Sequence, residues 1–97
     1  MGPLAHARVL ELGSTVAGPF CGRLLADFGA DVVKVETPQG DPVRAMGKHK
    51  PVEDGGDVSL FAASILRNKH NISVDLRTAE GQQIVKDLVA VSDVVIE

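Results

Sequence analysis

Two short apolar runs, separated by a turn and one helical repeat, fix most of what this chain can become. "ARVLEL" (residues 7 to 12) and "DVVKVE" (31 to 36) both read as strands. Between them lie "GSTVAG", then Pro19, then a stripe of Phe20, Leu24, Leu25 and Phe28 that stops at Gly29. Recurrence every four residues places that stripe on one side of a short helix; a proline suits the first position and a glycine the left-handed end. A connection that is mostly helix cannot close a hairpin, so the two strands are expected to run parallel. The stretch predicts a βαβ unit.

The remainder extends the same pattern. From Thr37 to Gly56, Pro38, "GDP", Pro51 and "DGG" follow one another with little apolar periodicity, which predicts a long surface excursion. Asp57 can cap a helix in which Leu60, Phe61, Ser64 and Ile65 share a face and which fades into the basic "RNKHN". "ISVDL" (72 to 76) alternates as a half-buried strand, Thr78 caps a helix carrying Ile84, Val85, Leu88 and Val89 with Glu80 near its positive end, and "DVVIE" forms a last strand. The order β-α-β-loop-α-β-α-β predicts an α/β fold: a Rossmann-like parallel sheet with helices on both faces. Ligands of such sheets sit beyond the carboxyl ends of the strands, and the fourth strand reaches Glu97 with no loop after it. Residues 1–97 are therefore expected to be one α/β unit of an incomplete domain, a fragment of something larger.

Bulk chemistry narrows the functions. With a formal charge of -3, no Trp, no Tyr and three Phe, the chain has neither the positive field nor the stacking aromatics of a nucleic-acid binder. Its apolar runs are too short to span a bilayer, and no leader opens it, so a cytoplasmic location without membrane contact is expected. The single cysteine, Cys21, has no neighbouring base and reads as packed and inert. His6, His49 and His70 lack metal-ligand spacing, so no metal is expected.

Nucleotide signatures fit only in part. Gly13 and Gly18 have the spacing of a phosphate loop, but Pro19 and Phe20 follow where Lys and Ser or Thr are needed. The dinucleotide pattern fails as well, since Ser14 and Thr15 follow Gly13 and Pro19 removes one N–H from the helix start. Gly13 and Gly29 read as turn formers, whereas Gly18 with Pro19 fixes a turn at a strand's carboxyl end, where loops line sites. Glu36 lies where a ribose-binding acid would sit. Arg44, Lys48, Lys50, Arg67, Lys69 and Arg77, with His49 and His70, could meet a polyphosphate; read by themselves they are better taken as a solvated face.

Taken together, "VLELGSTVAGPFCGRLLADFGADVVKVE", "GDPVRAMG", "RNKHNISVDLRTAEG" and "SDVVIE" resemble, in this order and spacing, the start of the class III CoA-transferases, the CaiB/BaiF or formyl-CoA transferase-like family. The likeness covers nearly the whole chain. It implies a protein several times longer that moves CoA between carboxylic acids, with coenzyme A or its thioester as substrate. In such enzymes an aspartate attacks the thioester, and a mixed anhydride and then an aspartyl-CoA thioester follow, which is covalent nucleophilic catalysis. That aspartate belongs to a region downstream, so the resemblance gives no Asp of this chain a catalytic role.

The resemblance also implies positions for the coenzyme. Val16 and Ala17 match the segment along the thioester and pantetheine arm, where a backbone N–H could face a developing oxyanion. Thr37 and the run Val74, Asp75, Leu76 and Arg77 match the adenosine-phosphate pocket, and a guanidinium at Arg77 suits a phosphate or a base. Thr37 stands where some members carry a basic residue, and Val16 where some carry an amide, so phosphate affinity and acyl preference are expected to differ from theirs. The family is dimeric, and self-association is also expected from an exposed sheet edge. Two other readings fit the same residues: an acyl-CoA racemase or epimerase of this family, and a non-catalytic fragment that binds nucleotide weakly or has a structural role.

Overall fold

The computed structural model describes residues 2–97. In chain order it contains β1 (Arg8–Glu11), α1 (Ala17–Asp27), β2 (Asp31–Glu36), a single 3-10 turn (Pro42–Ala45), β3 (His49–Pro51), β4 (Asp57–Ser59), α2 (Leu60–Ile65), β5 (His70–Ser73), α3 (Ala79–Ala90) and β6 (Val94–Ile96). The main sheet has the order β5-β2-β1-β6, and every neighbour in it is parallel. From β1 the chain steps outward to β2 and β5, then returns past β1 to lay down β6. The direction of winding therefore reverses beside β1, where open parallel sheets hold their ligands.

Strand alternation sorts the side chains into two layers. Val9 and Val32 pack with Ala26 and Ala30 on the α1 side, with α2 lying beside α1. Leu10, Val35 and Val74 form the opposite layer with Val33, Ile72, Val85 and Leu88, beneath α3. Helices cover both faces, as the sequence predicts. No helix among the described residues is long and apolar enough to cross a membrane.

Several local expectations are corrected. Of the stripe on α1 only Leu25 packs against the core: Phe20, Leu24 and Phe28 remain 44%, 41% and 56% exposed, while Gly18, Pro19, Gly22 and Ala26 form the buried side. The reason is close packing, since a Cβ on Gly22 would lie 1.8 Å from the Glu11 carboxylate beneath it. Small residues let the helix settle on the sheet and leave most of the large ones outside. Cys21 shares that outer side and is exposed rather than packed. The helix begins at Ala17, so Pro19 is its third residue and not its first.

The excursion after β2 is more ordered than its composition suggests. Val43 in the 3-10 turn is fully buried against Ala62, Ile65 and Leu66, and β3 pairs with β4 as an antiparallel hairpin. Asp57 belongs to that hairpin, and the cap of α2 is Ser59, whose hydroxyl accepts from the Ala62 N–H at 3.1 Å. Strand β5 covers 70–73 rather than 72–76, because register with β2 ends where β2 ends, at Glu36 opposite Ser73. Thr78 does cap α3, accepting from the Gly81 N–H at 3.0 Å.

Candidate functional site

At the carboxyl end of β1 the chain turns sharply into α1. A Cβ on Gly18 would lie 3.1 Å from the Cα of Gly13, and one on Gly13 would lie 3.2 Å from the carbonyl carbon of Glu97. Both glycines allow a close approach that a Cβ would crowd, in keeping with the structural role that sequence context suggests for Gly13. Thr15 takes φ 70°, in the left-handed region that a β-branched residue seldom enters. Val16 precedes the helix without any side-chain cap.

Beneath this turn lies a group of charges that sequence reading missed. Lys34 Nζ stands 3.0 Å from Glu11 Oε2 and 2.8 Å from Asp41 Oδ2, and donates to the Gly13 carbonyl at 3.0 Å. Lys69 Nζ donates to Glu11 Oε1 and to the Pro19 carbonyl, both at 2.7 Å. Asp41 in turn accepts from the N–H groups of Thr15 and Val43. Two lysines and two carboxylates thus neutralise one another away from water. A signal was available: Glu11 and Lys34 interrupt "LEL" and "VKV" at positions that alternation assigns to a packed layer, and they face each other in register.

The electrostatics follow from these contacts. Burial works to raise the Asp41 carboxyl, but hydrogen bonds from Lys34, Val43 and Thr15 hold it below the ordinary value. Burial pulls the Lys69 ammonium below its usual value against the attraction of Glu11. Glu36 is lowered chiefly by Arg44, which donates from Nε at 2.7 Å, with a further bond from the Asp41 N–H. Engaged in this way, the Glu36 carboxylate is held by protein and does not stand free as a ribose acceptor.

The basic residues do not assemble into one patch. Arg44 pairs with Glu36, Arg67 with Asp27, Lys69 with Glu11 and Arg77 with Asp75. Opposite charges claim these four separately, and the Lys69 side chain is buried rather than part of a solvated face, so the polyphosphate reading of the whole group is not supported.

Of the residues expected to hold the coenzyme, Thr37 and Leu76 line one cavity of about 430 Å³, which Leu12, Ser14, Gly40 and Asp41 complete. Thr37 also borders an adjoining cavity of about 240 Å³ with Arg44, Asn71 and Ser73. Val74 is buried, and its N–H donates to the Glu36 carbonyl at 2.9 Å, so it supports the rim without lining it. Asp75 accepts from the backbone N–H and the guanidinium of Arg77, while Arg77 itself stays largely in solvent. Val16 is the N-cap residue of α1, at the end of the loop after β1, and Ala17 is the first residue of that helix; neither lines the cavity, whose wall on this side is Leu12 and Ser14. Parallel strands put all of these loops at one end of the sheet; β1 and β5 are two strand spacings apart, about 10 Å.

A parallel half-sheet that reverses beside β1, with a glycine-tight turn there and a cavity across the carboxyl rim, defines an open, parallel α/β unit with helices on both faces. The sequence model described as CoA-transferase family III matches residues 4–97. The chain belongs to CoA-transferase family III. It is 53% identical to succinyl-CoA--D-citramalate CoA-transferase of Chloroflexus aurantiacus, over 98% of this chain and 23% of that one. It is 45% identical to succinate--glutarate CoA-transferase of Agrobacterium fabrum, over 98% of this chain and 24% of the relative. Among solved structures, a CaiB/BaiF family protein from Brucella suis superposes with a TM-score of 0.88 at 43% identity, covering 97% of this chain and 25% of its own. The chain spans about a quarter of the length of these relatives.

Proposed function

We propose that these residues form the amino-terminal, coenzyme-holding portion of the large domain of a class III CoA-transferase, a cytoplasmic enzyme that moves CoA between small carboxylic acids. The observation that carries this reading is the shared rim, where the loops after β1, β2 and β5 border one cavity in a chain of this family. The backbone of Val16 and Ala17 meets the thioester and pantetheine arm; Thr37 and the segment from Val74 to Arg77 receive the adenosine-phosphate end. The names of the two relatives support dicarboxylic acids as the exchange partners, with succinate or its thioester in both.

In the full reaction an aspartate outside these residues attacks the donor thioester carbonyl and CoA leaves as thiolate. The thiolate then attacks the aspartyl carbonyl of the mixed anhydride, releasing the donor acid and leaving an aspartyl-CoA thioester. The acceptor carboxylate attacks that thioester in turn, expelling CoA thiolate and forming a second mixed anhydride; the thiolate then attacks the acceptor carbonyl, which gives the acceptor's CoA thioester and frees the aspartate. The segment's own contribution is to hold the coenzyme and to offer backbone donors near the reacting carbonyl. Self-association completes the reading, through surfaces this segment leaves open.

Titration calorimetry of the protein with CoA and with NAD tests the assignment. CoA is expected to bind and NAD to give no heat at the same concentration. A preference for NAD overturns it.

A further inference from the structure

The segment from Gly13 to Pro19, the β1–α1 loop and the first residues of α1, is held from below by charge. Lys34 donates to the Gly13 carbonyl, Asp41 accepts from the Thr15 N–H at 3.1 Å, and Lys69 donates to the Pro19 carbonyl. These side chains come from β2, from the loop after it and from the turn before β5, and Glu11 joins the two lysines. None of the four charged side chains is more than 1% exposed.

Cohesion alone does not account for such a group. Apolar side chains of similar volume hold a helix on a sheet as well as a buried ionic cluster does, and often better. What apolar residues cannot do is bond Gly13 O, Thr15 N and Pro19 O. Thr15 moreover sits at φ 70°, a conformation that persists only when its surroundings over-determine it. Between the clamped Thr15 and the clamped Pro19 lie Val16, Ala17 and Gly18.

We propose that Glu11, Lys34, Asp41 and Lys69 are positioning residues whose buried network clamps the β1–α1 loop, so that the backbone of Val16 and Ala17 meets the thioester end of the coenzyme in one fixed geometry. The inference rests on the reading of that loop as a coenzyme contact. Its consequence is preorganisation: the loop is ordered by the fold and not by the substrate, so the network acts on the chemical step more than on binding.

Asp41→Asn tests this, because it keeps the side-chain shape and an acceptor oxygen while removing the charge opposite Lys34. In the whole protein, kcat is expected to fall about tenfold or more, with KM for the acyl-CoA changed less than about threefold. The Thr15 amide is expected to exchange with deuterium about tenfold faster than in the unsubstituted protein. Asp41→Glu keeps the charge and displaces the carboxylate by one methylene, and the same split between kcat and KM is expected. Unchanged kinetics in a folded form of either variant overturns the proposal, as does a loss of activity that only follows the loss of folded protein. Should neither variant fold, exchange in the unsubstituted protein decides: a Thr15 amide as protected as those of β1 supports the clamp, and one as fast as an exposed loop overturns it. CoA titration of the unsubstituted protein separates the two layers of argument. No binding there sinks the reading of the loop and this inference with it, whereas binding with unaltered variant kinetics sinks this inference alone.

Discussion

Gly22 shows how one missing side chain lets a charged layer exist. A Cβ at this position would lie 1.8 Å from Glu11 Oε1 and 3.3 Å from Lys69 Nζ, so the helix can rest on the ion pair only if nothing projects from it there. Two effects oppose each other in Gly22→Ala. Alanine improves helix propensity by about 1 kcal/mol. Displacing a buried carboxylate from its lysines costs about 3 kcal/mol or more, and overpacking adds to that. The second effect wins, so urea denaturation of the protein is expected to give a net loss of about 2 kcal/mol or more; an unchanged midpoint contradicts this account of α1 packing. The helical stripe drew attention to Phe20, Leu24 and Phe28, but the contact that decides the helix's seat is made by a residue with no side chain. Periodicity registers which residues are apolar, and close approach depends on which are small.

At the level of elements, the parallel strands and the helix between them were legible because a crossover of that length admits no other pairing, and Thr78 was legible as a cap because its hydroxyl needs only its own next turn. The segment between β2 and β5 was not, since its order comes from distant partners. Val43 is buried by α2, and Asp41 by Lys34 and the loop after β1. Likewise the start of α2 is set by Ser59 rather than Asp57, because β4 pairs through Ser59 with His49 and only then releases the chain. The Ser59 hydroxyl has two duties, accepting from the Ala62 N–H and donating to the Met46 carbonyl. Ser59→Ala therefore removes a cap and leaves the part-buried Met46 carbonyl without its donor, which is expected to cost about 1–2 kcal/mol in chemical denaturation. A loss of only a few tenths would mean that water reaches both groups.

Across the whole molecule, surface is left over. The accessible area is 6169 Å², against about 5300 Å² for a closed monomer of 10.2 kDa. The Cα radius of gyration is 14.0 Å, where about 12.5 Å is usual for this length. Exposed apolar side chains gather in the Phe20, Leu24 and Phe28 stripe on α1, on the edge strand β6 with Val94 and Val95 nearly half exposed, and along α3 to its end at Ile84, Val89 and Val91. The positions expected to hold the coenzyme share that openness to different degrees. Thr37 and Leu76 share a cavity wall, whereas Val16, Ala17 and Arg77 border open solvent, so their resemblance to known contacts could be stated while their packing gave no independent sign. Large exposed apolar patches mark surfaces that other protein covers, and this chain spans about a quarter of its relatives. The 97-residue chain by itself is therefore expected to self-associate in sedimentation velocity. Replacing Leu24 and Phe28 together by serine should shift the distribution toward monomer without lowering the thermal midpoint, since neither side chain lies on the packed side of α1. Unchanged association would place the sticky surface elsewhere, at the β6 edge, which joins chains through backbone hydrogen bonds that a substitution on α1 does not touch, or at the exposed Ile84, Val89 and Val91 of α3 and its end.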